Sequence, residues 1–255
     1  MTKTILAIHA HPDDVEILAG GTMAQLAAAG HRVVIATMTP GDCGSQDQGP
    51  GEIAAIRRAE AANSARLIGA EYVCVEFRDL AVFSDDPSRR RVTEVLRHVQ
   101  PDLVLTASPI DYMCDHEAAS ELVRDACFAA PAPNYQTHLP NPAPPIPAIP
   151  HLYFLDPLGG VDRENRPVLP DFWVDVGAFF ETKRAMLAEH KSQREWLLKH
   201  HGIDTYLEMM ERSTREQGKR AGVELAEGFR RYKGHPYPET PLLEDLLGKT
   251  VIRRE

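Results

Sequence analysis

The feature that most constrains this chain is an alternation that fills its first half, in which short apolar runs are separated by longer amphipathic ones. Residues 4–9, 32–38, 72–76 and 102–106 are short and dominated by apolar side chains, which predicts strands. Between and after them, residues 15–29, 52–68, 88–99 and 116–129 space their apolar positions as helices do. Gly30 and Gly69 stand where a helix needs a C-terminal residue that tolerates positive φ. Strands apolar on both faces, alternating with helices, predict a parallel sheet covered on either side. Ligands of such sheets bind beyond the carboxyl ends of the strands. The loops after the four runs are therefore where chemistry is expected.

The second half departs from this rhythm. Residues 131–150 hold eight prolines, from Pro131 to Pro150, which leave few amide donors and favour extended backbone. Such a stretch is either a passive connector or a wall over the site. Strands are predicted at 151–155 and 171–176, a long helix at about 178–200, and helical structure on to about 230, with Gly234 to Pro238 turning the chain into a tail. The length of 255 residues suits one large domain, 1–255, with about 178–255 as its helical C-terminal extension. The expected fold class is α/β: a Rossmann-like three-layer sandwich with a mostly parallel sheet.

Composition excludes some partners. There are 37 acidic and 28 basic residues, a net charge of −9, and nucleic-acid binding rests on a basic surface. No apolar run approaches the roughly 18 residues of a membrane span. Cys43, Cys74, Cys114 and Cys127 form no C-x-x-C pair, so free thiols and a cytoplasmic setting are expected.

The loop after the first strand reads His9-Ala10-His11-Pro12-Asp13-Asp14-Val15-Glu16. Adjacent carboxylates beside a histidine repel one another and resist desolvation, and a bound cation relieves both costs. A turn at Pro12 can bring His11 and Asp14 to one point while Asp13 faces elsewhere. Acidic residues favouring a helix N-terminus would account for Asp13, Asp14 and Glu16, but not for the histidine. After the fourth strand comes Asp111-Tyr112-Met113-Cys114-Asp115-His116-Glu117. Asp115 alone reads as an N-cap. His116, brought beside the first loop by a parallel sheet, completes a two-histidine, one-carboxylate set with an open fourth position, the pattern of catalytic zinc sites. His9, at alternate spacing from His11, either orients a ligand or fills a polar core position.

The string Ala10-His11-Pro12-Asp13-Asp14, with Gly20-Gly21-Thr22 and Asp115-His116, resembles the PIG-L/LmbE-like N-deacetylases over roughly residues 4–130. The stretch from Lys183 to His190-Lys191-Ser192-Gln193 is similar to that family too. The resemblance implies a hydrolase that removes an acyl group from the amide nitrogen of an N-acetyl amino sugar or conjugate. It implies Zn2+, or another divalent first-row ion, on His11, Asp14 and His116, with Asp13 as the general base. Arg57 matches a family arginine near the substrate, with Arg58 in competition. It also implies a homo-oligomer, trimer or hexamer.

One departure stands out. Many members carry a histidine three residues before the ligand histidine, where it stabilises the oxyanion; here that position is Met113, which donates no strong hydrogen bond. Tyr112, His190 and His235 are the candidates to replace it, the last two from their own or a neighbouring chain. Asp42 and Asp79, which end the second and third strands, are expected to line the pocket and contact substrate. His200 and His201 read as partners of a helix C-terminus. The alternatives are an amidase acting on a non-sugar N-acyl compound or thiol-conjugate amide, and a silent metal- or sugar-binding protein. The first loop lacks G-x-G-x-x-G, which argues against a dinucleotide-binding oxidoreductase.

Overall fold

The computed structural model describes residues 1–201 and 205–254. Its eight strands form one sheet in the order β3-β2-β1-β4-β5-β7-β6-β8. β1 (Thr4–His9), β2 (Arg32–Thr37), β3 (Glu71–Cys74), β4 (Leu103–Thr106) and β5 (His151–Leu155) are mutually parallel. β6 (Phe172–Asp175), β7 (Ala226–Arg231) and β8 (Val251–Arg253) extend it in antiparallel fashion. The helices are α1 (Asp14–Ala28), α2 (Pro50–Leu67), α3 (Asp86–Val99), α4 (Cys114–Ala129), α5 (Phe180–Ala188), α6 (Lys191–His201), α7 (Tyr206–Ala221) and α8 (Leu242–Leu247).

The period-2 alternation of strand side chains sorts the interior into two layers. Ile5, Ala7, Val33, Ile35, Leu103 and Leu105 pack with residues of α1, α5 and α7 on one face. Leu6, Ile8, Val34, Ala36 and Val104 pack with α3 and α4 on the other. β1 lies between β2 and β4, so the chain leaves β1 through α1 on one face and β4 through α4 on the opposite face. The two loops diverge there and open a crevice, the topological switch point at which open α/β sheets bind ligands.

The second half differs from expectation in three places. The single long helix at 178–200 is two, α5 and α6, broken at Glu189 and His190. The supposed helical run to 230 ends at Ala221, and 226–231 is strand β7. Its sequence, Ala-Glu-Gly-Phe-Arg-Arg, hides the strand because Glu227 spends its charge inside the molecule. Its carboxylate accepts the Gly21 and Thr22 amides at 2.9 and 2.8 Å and pairs with Lys183 at 2.6 Å, both side chains being buried. The tail, too, carries regular structure in α8 and β8. The proline-rich stretch forms no helix or strand. It seats Ile146 in the α3/α4 layer and its Thr137 hydroxyl donates to Glu94 of α3. It contributes no residue to the cavity described next. The side chains of His200 and His201 lie outside the described residues.

Candidate metal centre

The crevice holds a cavity of about 450 Å³ at the ends of β1 and β4. His11, Asp13, Asp14 and Ile17 reach it from the first loop and α1; Tyr112, Met113 and His116 reach it from the β4–α4 connection. His11 Nδ1, Asp14 Oδ2 and His116 Nε2 form a triangle with edges of 3.3, 3.3 and 3.5 Å. The nitrogens facing away from that triangle are both held by carboxylates. His11 Nε2 lies 3.2 Å from Asp115 Oδ2, and His116 Nδ1 lies 3.0 Å from Asp111 Oδ1. Asp115 is thus no N-cap: Met113 holds that position, and Asp115 also accepts the Leu80 amide from the loop after β3.

The charges explain one another. Burial would raise the Asp14 carboxyl, but the His9 and His116 charges and the hydrogen bonds from His11 and His9 hold it well below the usual carboxylate range. Burial would lower His11, yet its contacts with Asp115 and Asp14 push it up to about 10. His116 is raised against the same desolvation by Asp14 and Asp111. His9 is buried, with Nδ1 2.6 Å from Asp14 Oδ2.

Asp13 stands at the head of α1 with φ 104° and ψ −27°, a left-handed conformation uncommon for any residue but glycine. Burial raises its carboxyl and Arg57 opposes the rise. Arg57, only 4% exposed, donates to Pro12 O at 2.9 Å and lies 3.6 Å from Asp13 Oδ2. Arg58 instead pairs with Glu76 at the surface, which settles which of the two faces the site. Gly41 and Gly44 close over the guanidinium: a Cβ on either would stand 2.5 and 2.4 Å from it.

Other expected residues fall in different places. Asp79 and Tyr112 line the cavity, whereas Asp42 lies beneath it and accepts the Asp79 amide at 2.8 Å. His190 is buried behind the site, 3.1 Å from Glu16, which also accepts the Ser64 hydroxyl. His235 lies in a separate groove with Tyr232 and Tyr237, so the chain does not bring it to its own cavity. The Lys183–Gln193 stretch distributes its polar groups: Lys183 to Glu227, His190 to Glu16, Ser192 to Glu60 of α2, and Gln193 to the cavity wall. Tyr206, which sequence reasoning missed, donates from the first turn of α7 to Asp13 Oδ2 at 2.6 Å. No local pattern could have flagged it, because its partner lies 193 residues away.

An open α/β sheet with a His–Asp–His cluster at its switch point defines a class of protein whose crevice can hold a divalent ion. The family model described as GlcNAc-PI de-N-acetylase, PIG-L, matches residues 6–127, the stretch that supplies both cluster-bearing loops. Diacetylchitobiose deacetylase of Thermococcus kodakarensis is 27% identical over 204 residues, covering 75% of this chain and 70% of the relative. The 4-oxalmesaconate hydratase of Pseudomonas putida is 28% identical over 193 residues, 72% of each. The structure of N,N′-diacetylchitobiose deacetylase from Pyrococcus horikoshii, complexed with an inhibitor, aligns at a TM-score of 0.74 with 28% identity, covering 94% of this chain and 88% of that one.

Proposed function

We propose that this chain is a metal-dependent hydrolase that removes the acetyl group from the amide nitrogen of an N-acetyl amino sugar or sugar conjugate. The observation that carries the reading is the triangle of His11, Asp14 and His116 with Asp13 beside it. Bonds of about 2.0–2.1 Å to a tetrahedral zinc place ligand atoms about 3.3–3.4 Å apart, which the edges of 3.3, 3.3 and 3.5 Å match. Carboxylates on the far nitrogens of both histidines are the usual support of metal-bound imidazole. His9, Asp14 and His116 also lie within 4.8 Å of one another. However, the 2.6 Å between His9 and Asp14 is a hydrogen bond, too short for two ligands of one ion. His9 is therefore assigned to orienting Asp14.

A zinc ion on these residues supplies Lewis acidity, lowering the pKa of water to about 7 and polarising the acyl oxygen. Asp13 takes a proton from the attacking water as its oxygen bonds to the acyl carbon. The carbon–nitrogen bond then breaks, and Asp13 delivers that proton to the departing amine. The products are acetate and a free amine. Burial, which raises the Asp13 carboxyl, strengthens it as a base. Ile17, Leu158, Trp196, Leu197 and Met209 form the remaining walls and suit the C–H face of a pyranose ring. Arg57 acts through Asp13 and the Pro12 carbonyl, and Asp79 is the cavity carboxylate for substrate hydroxyls. Tyr112, whose ring packs edge-on against His116 with centroids 5.5 Å apart, takes over the donor role that Met113 cannot fill.

One relative, a hydratase, favours a second reading. Adding water across an electron-poor double bond would use the same activated water and has no leaving nitrogen to protonate. Zinc-reconstituted protein should therefore be given N,N′-diacetylchitobiose and N-acetylglucosamine, with free-amine release measured, and separately an unsaturated tricarboxylate, with loss of ultraviolet absorbance measured. Amine release from the sugars is the expected result. Absorbance loss with no amine release from any N-acetyl compound would replace the deacetylase reading with the hydratase one.

A further inference from the structure

We propose that Tyr206 is a positioning residue for Asp13: with Arg57 it holds Oδ2, so that Oδ1 is the oxygen presented to the reacting water. This rests on the reading of Asp13 as the base. The Tyr206 hydroxyl donates to Asp13 Oδ2 at 2.6 Å, and Arg57 Nη2 approaches the same oxygen at 3.6 Å. Among the described residues, none donates a hydrogen bond to Oδ1. The Tyr206 ring is 2% exposed and packs in the layer of α1 and α5, which fixes where its hydroxyl points. Arg57 is fixed as firmly, by the Pro12 carbonyl and by the two glycines that close over it. Asp13 itself sits in a left-handed backbone conformation, which persists only when its surroundings enforce it. One rigid hydrogen-bond donor and one fixed guanidinium charge on the same oxygen enforce the carboxylate's rotation, and a base must be oriented as well as near.

The arrangement also gives α7 a place in the reaction. Tyr206 opens that helix, and Met209, one turn on, lines the cavity wall. The C-terminal half of the chain, beyond the stretch that matches the family model, thereby reaches the reacting centre through one hydroxyl. The competing explanation is that a buried phenol needs an acceptor and Asp13 happens to be near.

Tyr206→Phe separates the two, since it keeps the ring and removes only the hydroxyl. Steady-state kinetics with N,N′-diacetylchitobiose should show kcat down by about 10- to 100-fold, on the usual cost of misplacing a reacting group. KM and zinc content should stay within about twofold of wild type. The double variant with Asp13→Asn should be no slower than Asp13→Asn alone, because two residues acting through one carboxylate are not additive. Wild-type kcat in Tyr206→Phe, or losses that multiply in the double variant, would overturn the proposal while leaving Asp13 as the base. Full activity in Asp13→Asn alone would instead overturn the base assignment. A crystal structure of zinc-loaded Tyr206→Phe supplies a check that needs no turnover: a rotated Asp13 carboxylate is expected, and an unmoved one contradicts the positioning role.

Discussion

Four side chains within ten residues of sequence distance, His9, His11, Asp13 and Asp14, do different work because their surroundings differ. Asp14 gathers His9, His11 and His116 around one oxygen and stays ionised; Asp13, one residue earlier, turns away to Tyr206 and Arg57 and is raised by burial. Two adjacent carboxylates pushed in opposite directions fit the proposed division into ligand and base. The histidine protons set a pH dependence for metal binding. His11 is pushed up to about 10 and His116 is raised, so protons compete with an ion at both imidazoles. Raising the pH removes the competing protons and tightens binding. The logarithm of the zinc affinity should climb by about one to two per pH unit between about pH 6 and 8, as read by competition with a chromophoric chelator. His11→Ala and His116→Ala should lose most of the metal. A flat pH profile, or normal metal content in either variant, would contradict the ligand assignment.

At the scale of elements, the Gly20-Gly21-Thr22 string marks where α1 packs closest. A Cβ on Gly21 would stand 2.6 Å from Val176 Cβ, and one on Gly20 would stand 3.1 Å from Lys183 Cγ. The same turn donates the Gly21 and Thr22 amides to Glu227 of β7, so α1, α5 and β7 meet at one point. Since α1 carries Asp14 at its first residue, this packing also sets where the cluster stands. Gly21→Ala should cost about 1–3 kcal/mol, the usual penalty for overpacking a close contact, measured by urea denaturation. A change under about 0.5 kcal/mol would show that the sheet yields at this point. The elements that sequence patterning identifies are β1 to β6 and α1 to α4. β7 and the α5–α6 break escape it because Glu227 and His190, polar residues at buried positions, disguise strand and helix end alike. The glycine signature is visible in the sequence, but its purpose depends on residues about 155 to 205 positions away.

Across the whole molecule, the groups of the proposed metal site come from the parallel half and the groups that contact them come partly from the antiparallel half. His11, Asp13 and Asp14 are readable because one strand-to-helix turn concentrates them, and His116 because a parallel sheet must bring the ends of β1 and β4 together. Tyr206, the Asp111 contact to His116 and the Asp115 contact to His11 are created by the fold and have no signature of their own. The place of His235 in a groove apart from its own chain's cavity has the same origin, since no spacing rule says which groove a C-terminal turn will border. Among the described residues no helix is long and apolar enough to cross a membrane. The measurement that bears most directly on the central claim compares wild type and Asp13→Asn, both loaded with one zinc per chain as verified by mass spectrometry. Amine release from N,N′-diacetylchitobiose should fall by about a hundredfold or more in the variant, the usual worth of a general base, with zinc retained. Equal turnover at equal metal content would show that the proton is taken by another group and that the account of this site is wrong.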